Sequence, residues 1–379
     1  MDFTLSKEQE MARTLFRDFS EKEIKPLAQE IDEEERFPAE TLEKFRKYQF
    51  MGIPYPKEVG GAGCDTLTYE ICLEEISKVC ATTATMLSAH TSLGTWPILK
   101  FGTPGQKDKY LKKLCTGEYL GAFALTEPNA GTDSSAQQTK AVLDGDHYVL
   151  NGSKIFITNG GYADTYIVFA MTNKSLGNHG ISAFIVEKNF PGFSVGKKEE
   201  KMGIRGSATC ELIFENCIVP KENLLGQEGK GFPIAMATLD NGRVGIAAQA
   251  VGIAEGALDE TIQYVKERKQ FGRPIAKFQN TQFEIADMVT KTKAAQLLLY
   301  RAALAEDTKK RYSEEAAMAK LFCASTAMDV TTRCLQLHGG YGYTREYPIE
   351  RMMRDAKITE IYEGTSEVQK MVISKYAMK

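Results

Sequence analysis

Near the C-terminal end, the stretch "DAKITEIYEGTSEVQKMV" sets Tyr362, Glu363, Gly364, Thr365 and Ser366 side by side between helix-forming residues. Glycine beside paired hydroxyl residues weakens a helix, so the run reads as a loop joining two helices. A carboxylate there is either a surface residue capping a helix or a base held out to a substrate. Gly364 lets the backbone approach a ligand closely and adopt positive φ, and Thr365 is a residue type from which the next helix restarts. Three glycine-rich spots offer further sites: "EPNAGTD" at 127–133, "NGG" at 159–161 and "LHGGYGY" at 337–343. The first places Thr126, Thr132 and successive backbone N–H groups where a planar heterocycle can be hydrogen-bonded. "KIFITNGG" ends a strand in which the Phe156 ring and the Thr158 hydroxyl alternate with an inward Ile157.

Other chemistries find little support. No G-x-G-x-x-G follows a strand and no G-x-x-x-x-G-K-[ST] occurs, so a Rossmann site or a P-loop is not supported. His90, His147, His179 and His338 are far apart, so no metal site is expected. The eight cysteines are scattered with no C-x-x-C pair and read as reduced, mostly buried residues. A net charge of −3, from 47 basic and 50 acidic residues, gives no footprint for nucleic acid or an anionic membrane. No run approaches the roughly 20 apolar residues of a membrane span. "MDFTLSKEQEMARTLF" is charged from its second residue and lacks an apolar h-region, which gives the expectation of a cytoplasmic protein.

The elements that must position these residues follow from periodicity. With 379 residues, 43% of them apolar, the chain can bury a large core in two or three domains. Residues 1–120 read as helical: Ser6 and Gln9 form a capping box, and Met11, Leu15, Phe16 and Phe19 recur on one face that must pack on something. Residues 121–230 read as a β-domain, sandwich or barrel, with hairpin signals at Asp144-Gly145 and Asn151-Gly152. Residues 231–379 read as a C-terminal four-helix bundle. Its first helix is rich in small residues that permit close approach. Asp240 to Arg243 reads as a kink in it, and Arg268 as a solvated end. In the next helix Lys291 and Lys293 face solvent, while Leu297, Leu298 and Tyr300 face the core. His338 reads as a hydrogen-bonded core histidine. Helices, then strands, then helices make a segregated α+β fold.

The motifs "LTEPNAGTD", "KIFITN", "KERKQFGRPIAKFQ" and "QLHGGYGYTREYPIERMMRDAKITEIYEGTSEVQ", in this order, resemble the acyl-CoA dehydrogenase family across essentially the whole chain. The resemblance is closest to the bacterial short-chain, butyryl-CoA type. It implies FAD bound between the β-domain and the C-terminal bundle, and removal of two hydrogens from the Cα–Cβ bond of an acyl-CoA thioester. Glu363 would take the α-proton while the β-hydrogen leaves as hydride to the flavin. Thr126, Gly131, Thr132 and Thr158 would contact the flavin, with Phe156 stacked near its ring. The family often has Trp where Phe156 stands and Ser where Thr132 stands.

The resemblance further implies that Arg268, Phe271 and Gln279 reach the FAD of a neighbouring subunit, and that Gln336, Gly339, Gly340, Thr365 and Glu367 make other FAD contacts. Thr132, Asp240 and Arg243 would touch the substrate, the last two at its CoA moiety, and Tyr362 with Gly364 would frame the thioester. A homotetramer and electron-transferring flavoprotein are the implied partners. A backbone N–H on the glutamate loop and a ribitol hydroxyl of the flavin would bond the carbonyl oxygen. Burial beside an acyl chain and a flavin would raise the pKa of Glu363. The direction stays open, since relatives reduce enoyl-CoA; for the acyl group the butyryl/crotonyl pair leads, with acryloyl/propionyl, branched or aryl thioesters as the alternative. An oxidase passing electrons to O2 and a catalytically silent helical interaction protein are the other readings.

Overall fold

The computed structural model describes residues 4–379, and its elements run helices, strands, helices. The first part holds α1 (Lys7–Phe19), α2 (Ala28–Glu33), α3 (Ala39–Lys47), α4 (Thr66–Ser77), α5 (Ala81–Ser88), α6 (Trp96–Phe101) and α7 (Pro104–Thr116). The expected capping box opens α1: Gln9 N donates to Ser6 Oγ at 3.2 Å and Ser6 N donates to Gln9 Oε1 at 2.9 Å. Only part of the expected apolar face is used. Phe16 is buried and Phe19 packs on Phe45 and Phe50, whereas Met11 and Leu15 are exposed. Arg13 and Arg17 pair with Glu74 and Glu75 of α4, which rolls α1 so that Met11 and Leu15 turn outward.

The middle part holds β1 (Gly121–Ala124), β2 (Lys140–Asp144), β3 (His147–Thr158), β4 (Thr165–Met171), β5 (Ile181–Glu187), β6 (Phe193–Lys198), β7 (Thr209–Pro220) and β8 (Leu224–Leu225). They form one eight-stranded sheet in the order β6-β7-β3-β2-β4-β5-β8, with β1 paired parallel to β4. Asp144-Gly145 does close a hairpin, with Asp144 opposite His147. Asn151-Gly152 does not: it lies inside β3, at a bulge against β7 between Leu150 and Gly152. The reason is Thr139, whose Oγ1 would stand 2.6 Å from a Cβ at Gly152, where φ is 144°. The glycine thus admits a crossing strand rather than a turn.

Alternation along β4 buries both faces. Tyr166, Val168 and Ala170 join a core internal to the strands, while Ile167, Phe169 and Met171 pack with Tyr110, Leu111 and Leu114 of α7 and with Ile234 and Ala235. The sheet is thereby fixed to the helices on one side.

The last part holds α8 (Gly231–Glu267), a small hairpin of β9 (Lys269–Gln270) and β10 (Arg273–Pro274), α9 (Gln279–Thr308), α10 (Ser313–His338), α11 (Ile349–Ile358) and α12 (Ser366–Ala377). α8, α9 and α10 pack on one another, and α12 packs on α10. α8 runs unbroken through Asp240 to Arg243, so the expected kink is absent. In α9 it is Ala295, Leu299 and Ala302 that are buried, at helical spacing; Leu297 falls on the opposite face and is exposed. Seven cysteines are buried and Cys64 is exposed, all of them free.

Small residues on α8 bring neighbouring backbones against it, as expected. A Cβ at Gly252 would stand 2.3 Å from Glu74 O, and one at Gly256 2.2 Å from Lys78 O. Gly252→Ala should therefore force α4 away and destabilise the protein by about 1–3 kcal/mol, read from denaturant unfolding of the holoprotein. A change within the noise of that measurement would mean the crossing is looser than described.

Candidate active site

Glu363 sits on the turn between α11 and α12, at φ 55°, and Gly364 follows at φ 98°. Two consecutive left-handed residues, one of them not glycine, are strained unless the surroundings fix them. The fixing is visible. Tyr362 N bonds Ile358 O at 3.1 Å and Ser366 N bonds Glu360 O at 3.0 Å, closing the loop at both ends. Lys320 Nζ donates to Gly364 O at 2.7 Å, Gln369 Nε2 to the same oxygen at 2.9 Å, and Arg243 Nε to Glu363 O at 3.3 Å. The Tyr362 hydroxyl is bonded to Gln249, and the Thr365 hydroxyl accepts from Val368 N at 3.4 Å as the cap of α12.

The Glu363 carboxylate lies over the backbone of α8. Its Oε2 is buried without a hydrogen-bond partner, and a Cβ at Gly242 would come within 2.0 Å of it. Burial raises the Glu363 pKa to about 7 against the opposing pull of Lys320 and Arg243. Among the described residues, the N–H groups of Glu363 and Gly364 donate to no protein acceptor. A buried, unpaired carboxylate beside two unspent donors is an arrangement for abstracting a proton next to a carbonyl whose oxygen gains charge.

Asp240 and Arg243 belong to this cluster. Arg243 is 5% exposed, and its Nη1 donates to Asp240 Oδ1 at 2.6 Å, while Asp240 also receives the Ser313 hydroxyl. Arg243 thus ties the loop to α8 and Asp240 orients Arg243. Burial raises Asp240 against the pull of Arg243. Deeper in, Glu306 receives the Asn241 amide and is raised to about 8 by burial, and Glu70 on α4 is raised well above the carboxylate range by burial and by Glu306.

The second group forms around the 125–139 loop. Ile155 N donates to Thr126 O at 2.9 Å, which seats Thr126 beside Phe156. Phe156 occupies a second bulge of β3, at φ 58°, with its ring 59% exposed. It is not a core residue; the bulge turns it out of the sheet. Ile157 is buried and Thr158 half-buried. Gly131 and Thr132 are exposed, and nothing lies within 4 Å of a Cβ at Gly131.

A buried ion pair that the sequence reading missed shapes this loop. Lys154 Nζ meets Glu127 Oε1 at 2.8 Å, Gln137 Oε1 at 2.9 Å and Leu125 O at 3.0 Å, and Glu127 accepts from Thr139 N at 3.0 Å and Gln138 N at 2.6 Å. Burial lowers Lys154 to about 8 against Glu127, while Lys154 holds Glu127 below its ordinary value against its own burial.

The third group lies elsewhere. Arg268, Gln336, Gly339 and Gly340 line a groove of about 560 Å3, with the Arg268 guanidinium 5.2 Å from the Tyr341 ring centre. His338 beneath it is a buried, hydrogen-bonded histidine, its Nδ1 2.8 Å from Cys334 O. Phe271 stands on the β9–β10 hairpin at 93% exposure and φ 52°, and Gln279 opens α9, exposed. Along α8, Arg268 is about 39 Å from Gly242 at 1.5 Å per residue. One chain therefore does not bring this group to Glu363. Thr365 and Glu367 stay with the Glu363 loop. Among the described residues no cluster of potential metal ligands occurs.

Comparisons with known proteins identify the family. The N-terminal, middle and C-terminal domains of acyl-CoA dehydrogenase match residues 6–118, 122–217 and 229–378. The chain is 63% identical over 374 residues to "Acyl-CoA dehydrogenase, short-chain specific" of Clostridium acetobutylicum, covering 99% of each. The solved structure of butyryl-CoA dehydrogenase from Megasphaera elsdenii superposes with a TM-score of 0.98 at 51% identity, covering all of both chains. A chain in the solved structure described for the electron transferring flavoprotein of Acidaminococcus fermentans, a study of flavin-based electron bifurcation, superposes with a TM-score of 0.99 at 56% identity, again over all of both chains. The protein belongs to the acyl-CoA dehydrogenase family of FAD-dependent oxidoreductases.

Proposed function

We propose that the protein interconverts butyryl-CoA and crotonyl-CoA, or a closely related short-chain pair, with Glu363 as the base. The observation that carries this is Glu363 Oε2, buried without a partner against Gly242. In the oxidative direction Glu363 Oε2 accepts the α-proton of the thioester. The free N–H groups of Glu363 and Gly364 bond the thioester oxygen as it gains negative charge, which lowers the barrier where it is highest. Tyr362, held by Gln249, would frame the thioester together with Gly364. FAD, when bound, supplies the acceptor for the β-hydrogen as hydride.

The residues fit that group. Thr126, Gly131, Thr132, Thr158 and the outward Phe156 ring would hold it on the strand side, with Thr132 also reaching the substrate, and Thr365 and Glu367 on the loop side. The groove of Arg268, Gln336, Gly339 and Gly340, with Phe271 and Gln279, would hold the adenosine side of a second copy's FAD. The 93% exposure of Phe271 supports an interface there, since a ring so bare is a feature of association. Exchange of electrons with electron-transferring flavoprotein, supported by the Acidaminococcus fermentans structure, and assembly as a homotetramer complete the reading. Among the described residues no helix is long and apolar enough to cross a membrane, and we place the protein in the cytoplasm.

Glu363→Gln should keep bound FAD and butyryl-CoA affinity while slowing anaerobic bleaching of the flavin by about 10²- to 10⁴-fold; a near-normal rate would remove Glu363 as the base. Because the base works ionised and titrates at about 7, the bleaching rate should climb with pH and level off above neutrality. A rate independent of pH from 5 to 9 would contradict that assignment. Glu127→Ala strands Lys154 in the interior, so the variant should lose FAD on dilution while its helices stay folded by circular dichroism; full retention of FAD would show that the pair does not shape the cofactor loop.

A further inference from the structure

Lys320 lies on α10 in the alanine-rich run "AAMAKLFCA", 0% exposed, with its Nζ 2.7 Å from Gly364 O. Among the described residues it has no carboxylate within ion-pairing distance. A buried cation with one neutral partner is costly, and proteins keep such groups chiefly at functional sites. Glu363 is faced by Lys320 from α10, Arg243 from α8 and Glu70 from α4, while Lys320 itself is faced by Glu363, Arg243, Glu360 and Glu367. Burial lowers Lys320 to about 8, against the pull of Glu363.

The geometry points to Lys320 as the positioning residue of the base: it pins the Gly364 carbonyl to set the loop, and its charge keeps the Glu363 carboxylate ionised in a buried place. This rests on the reading of Glu363 as base. The geometric half follows from the peptide bond. In a planar trans peptide the C=O and the following N–H point opposite ways. Arg243 and Gln369 draw the Glu363 carbonyl toward α8 and α12, and Lys320 and Gln369 draw the Gly364 carbonyl toward α10 and α12. The held Glu363 carbonyl turns the N–H of its own peptide, that of Gly364, to the other side and leaves it free, while Lys320 fixes the next peptide, Gly364–Thr365, and so the far end of the turn. Without Lys320 the strained φ of 55° at Glu363 and 98° at Gly364 would lose one of their few restraints.

The electrostatic half separates this role from mere packing. Taking away an opposite charge raises the pKa of a carboxylic acid, so the pH at which Glu363 becomes a base should rise. Lys320→Met fills the space without charge or donor, and Lys320→Arg keeps the charge while changing the reach. The measurement is the rate of anaerobic flavin bleaching by butyryl-CoA against pH, on purified FAD-loaded protein. We expect the acid limb of Lys320→Met to move up by roughly one pH unit, within the range an opposite charge supplies, with the rate recovering only in part at higher pH because the donor to Gly364 O is gone. The limb of Lys320→Arg should stay near that of the parent. A Lys320→Met rate lowered equally at every pH, or unchanged, overturns the proposal, as does a limb that moves equally in both variants. Should the Met variant not fold, Lys320→Gln takes its place with the same two outcomes. Glu363→Gln run alongside separates the two readings: if it bleaches normally, the base assignment fails whatever Lys320 does.

Discussion

Helix α8 has no side chain at Gly231, Gly242, Gly245, Gly252 and Gly256, and at each a different part of the chain comes against its backbone. Ser182 of β5 closes on the first, Glu363 on the second, Ser88 on the third, and Glu74 and Lys78 on the last two. The helix is therefore a spine whose bare face sets the spacing between sheet, N-terminal helices and base loop. Interiors packed to this density transmit displacement rather than absorb it. A spine that shifted by a fraction of an ångström would move the base and its donors together relative to the strands, which is why so long an element carries so few bulky residues on that face.

The buried charges fall into two kinds. Under α1, α4, α8 and α9, Glu255 meets Lys78 at 2.7 Å and Lys293 at 2.9 Å, and these cations hold it down to about 2 despite its burial. Glu74, raised to about 8 by burial and by Glu255, still accepts from Arg13, Gln296 and Tyr300. That network ties four helices and leaves few oxygens unbonded. Around the base loop the pattern reverses: Glu363, Glu70 and Glu306 each keep a buried carboxylate oxygen without a partner. Burial raises all three, so these acids take up a proton rather than keep an unpaired charge, and such groups gather where protons are transferred.

Much of this was legible in the residues. Period 3.6 and period 2 stretches, a capping box at Ser6 and a hairpin at Asp144-Gly145 are local, and local physics decides them. The break around Glu363 was legible because Gly364 and two hydroxyl residues interrupt good helix formers. What escaped depends on partners far along the chain. Asn151-Gly152 looks like a turn until Thr139 is seen crossing it, and Met11 and Leu15 look inward until Arg13 and Arg17 find Glu74 and Glu75. Leu297 and Leu299 are equally apolar, and only the packing of α9 chooses between them. Glu127 and Lys154 stood inside quoted motifs, but their pairing across 27 residues left no spacing signal. Lys320 did leave one: a lone lysine among alanines is out of place on a face that must be buried.

The hairpin that carries Phe271 has a consequence for inheritance. If every FAD is gripped by the Thr126 loop of one chain and the Arg268 groove of another, the unit of function is a pair of half-sites, not a polypeptide. A chain damaged in its strand-side half and a chain damaged in its groove could then assemble into a mixed oligomer that retains an intact site, formed where the sound halves meet. Two defective genes in one cell would rescue each other, and the severity of a defect would depend on which allele it is paired with.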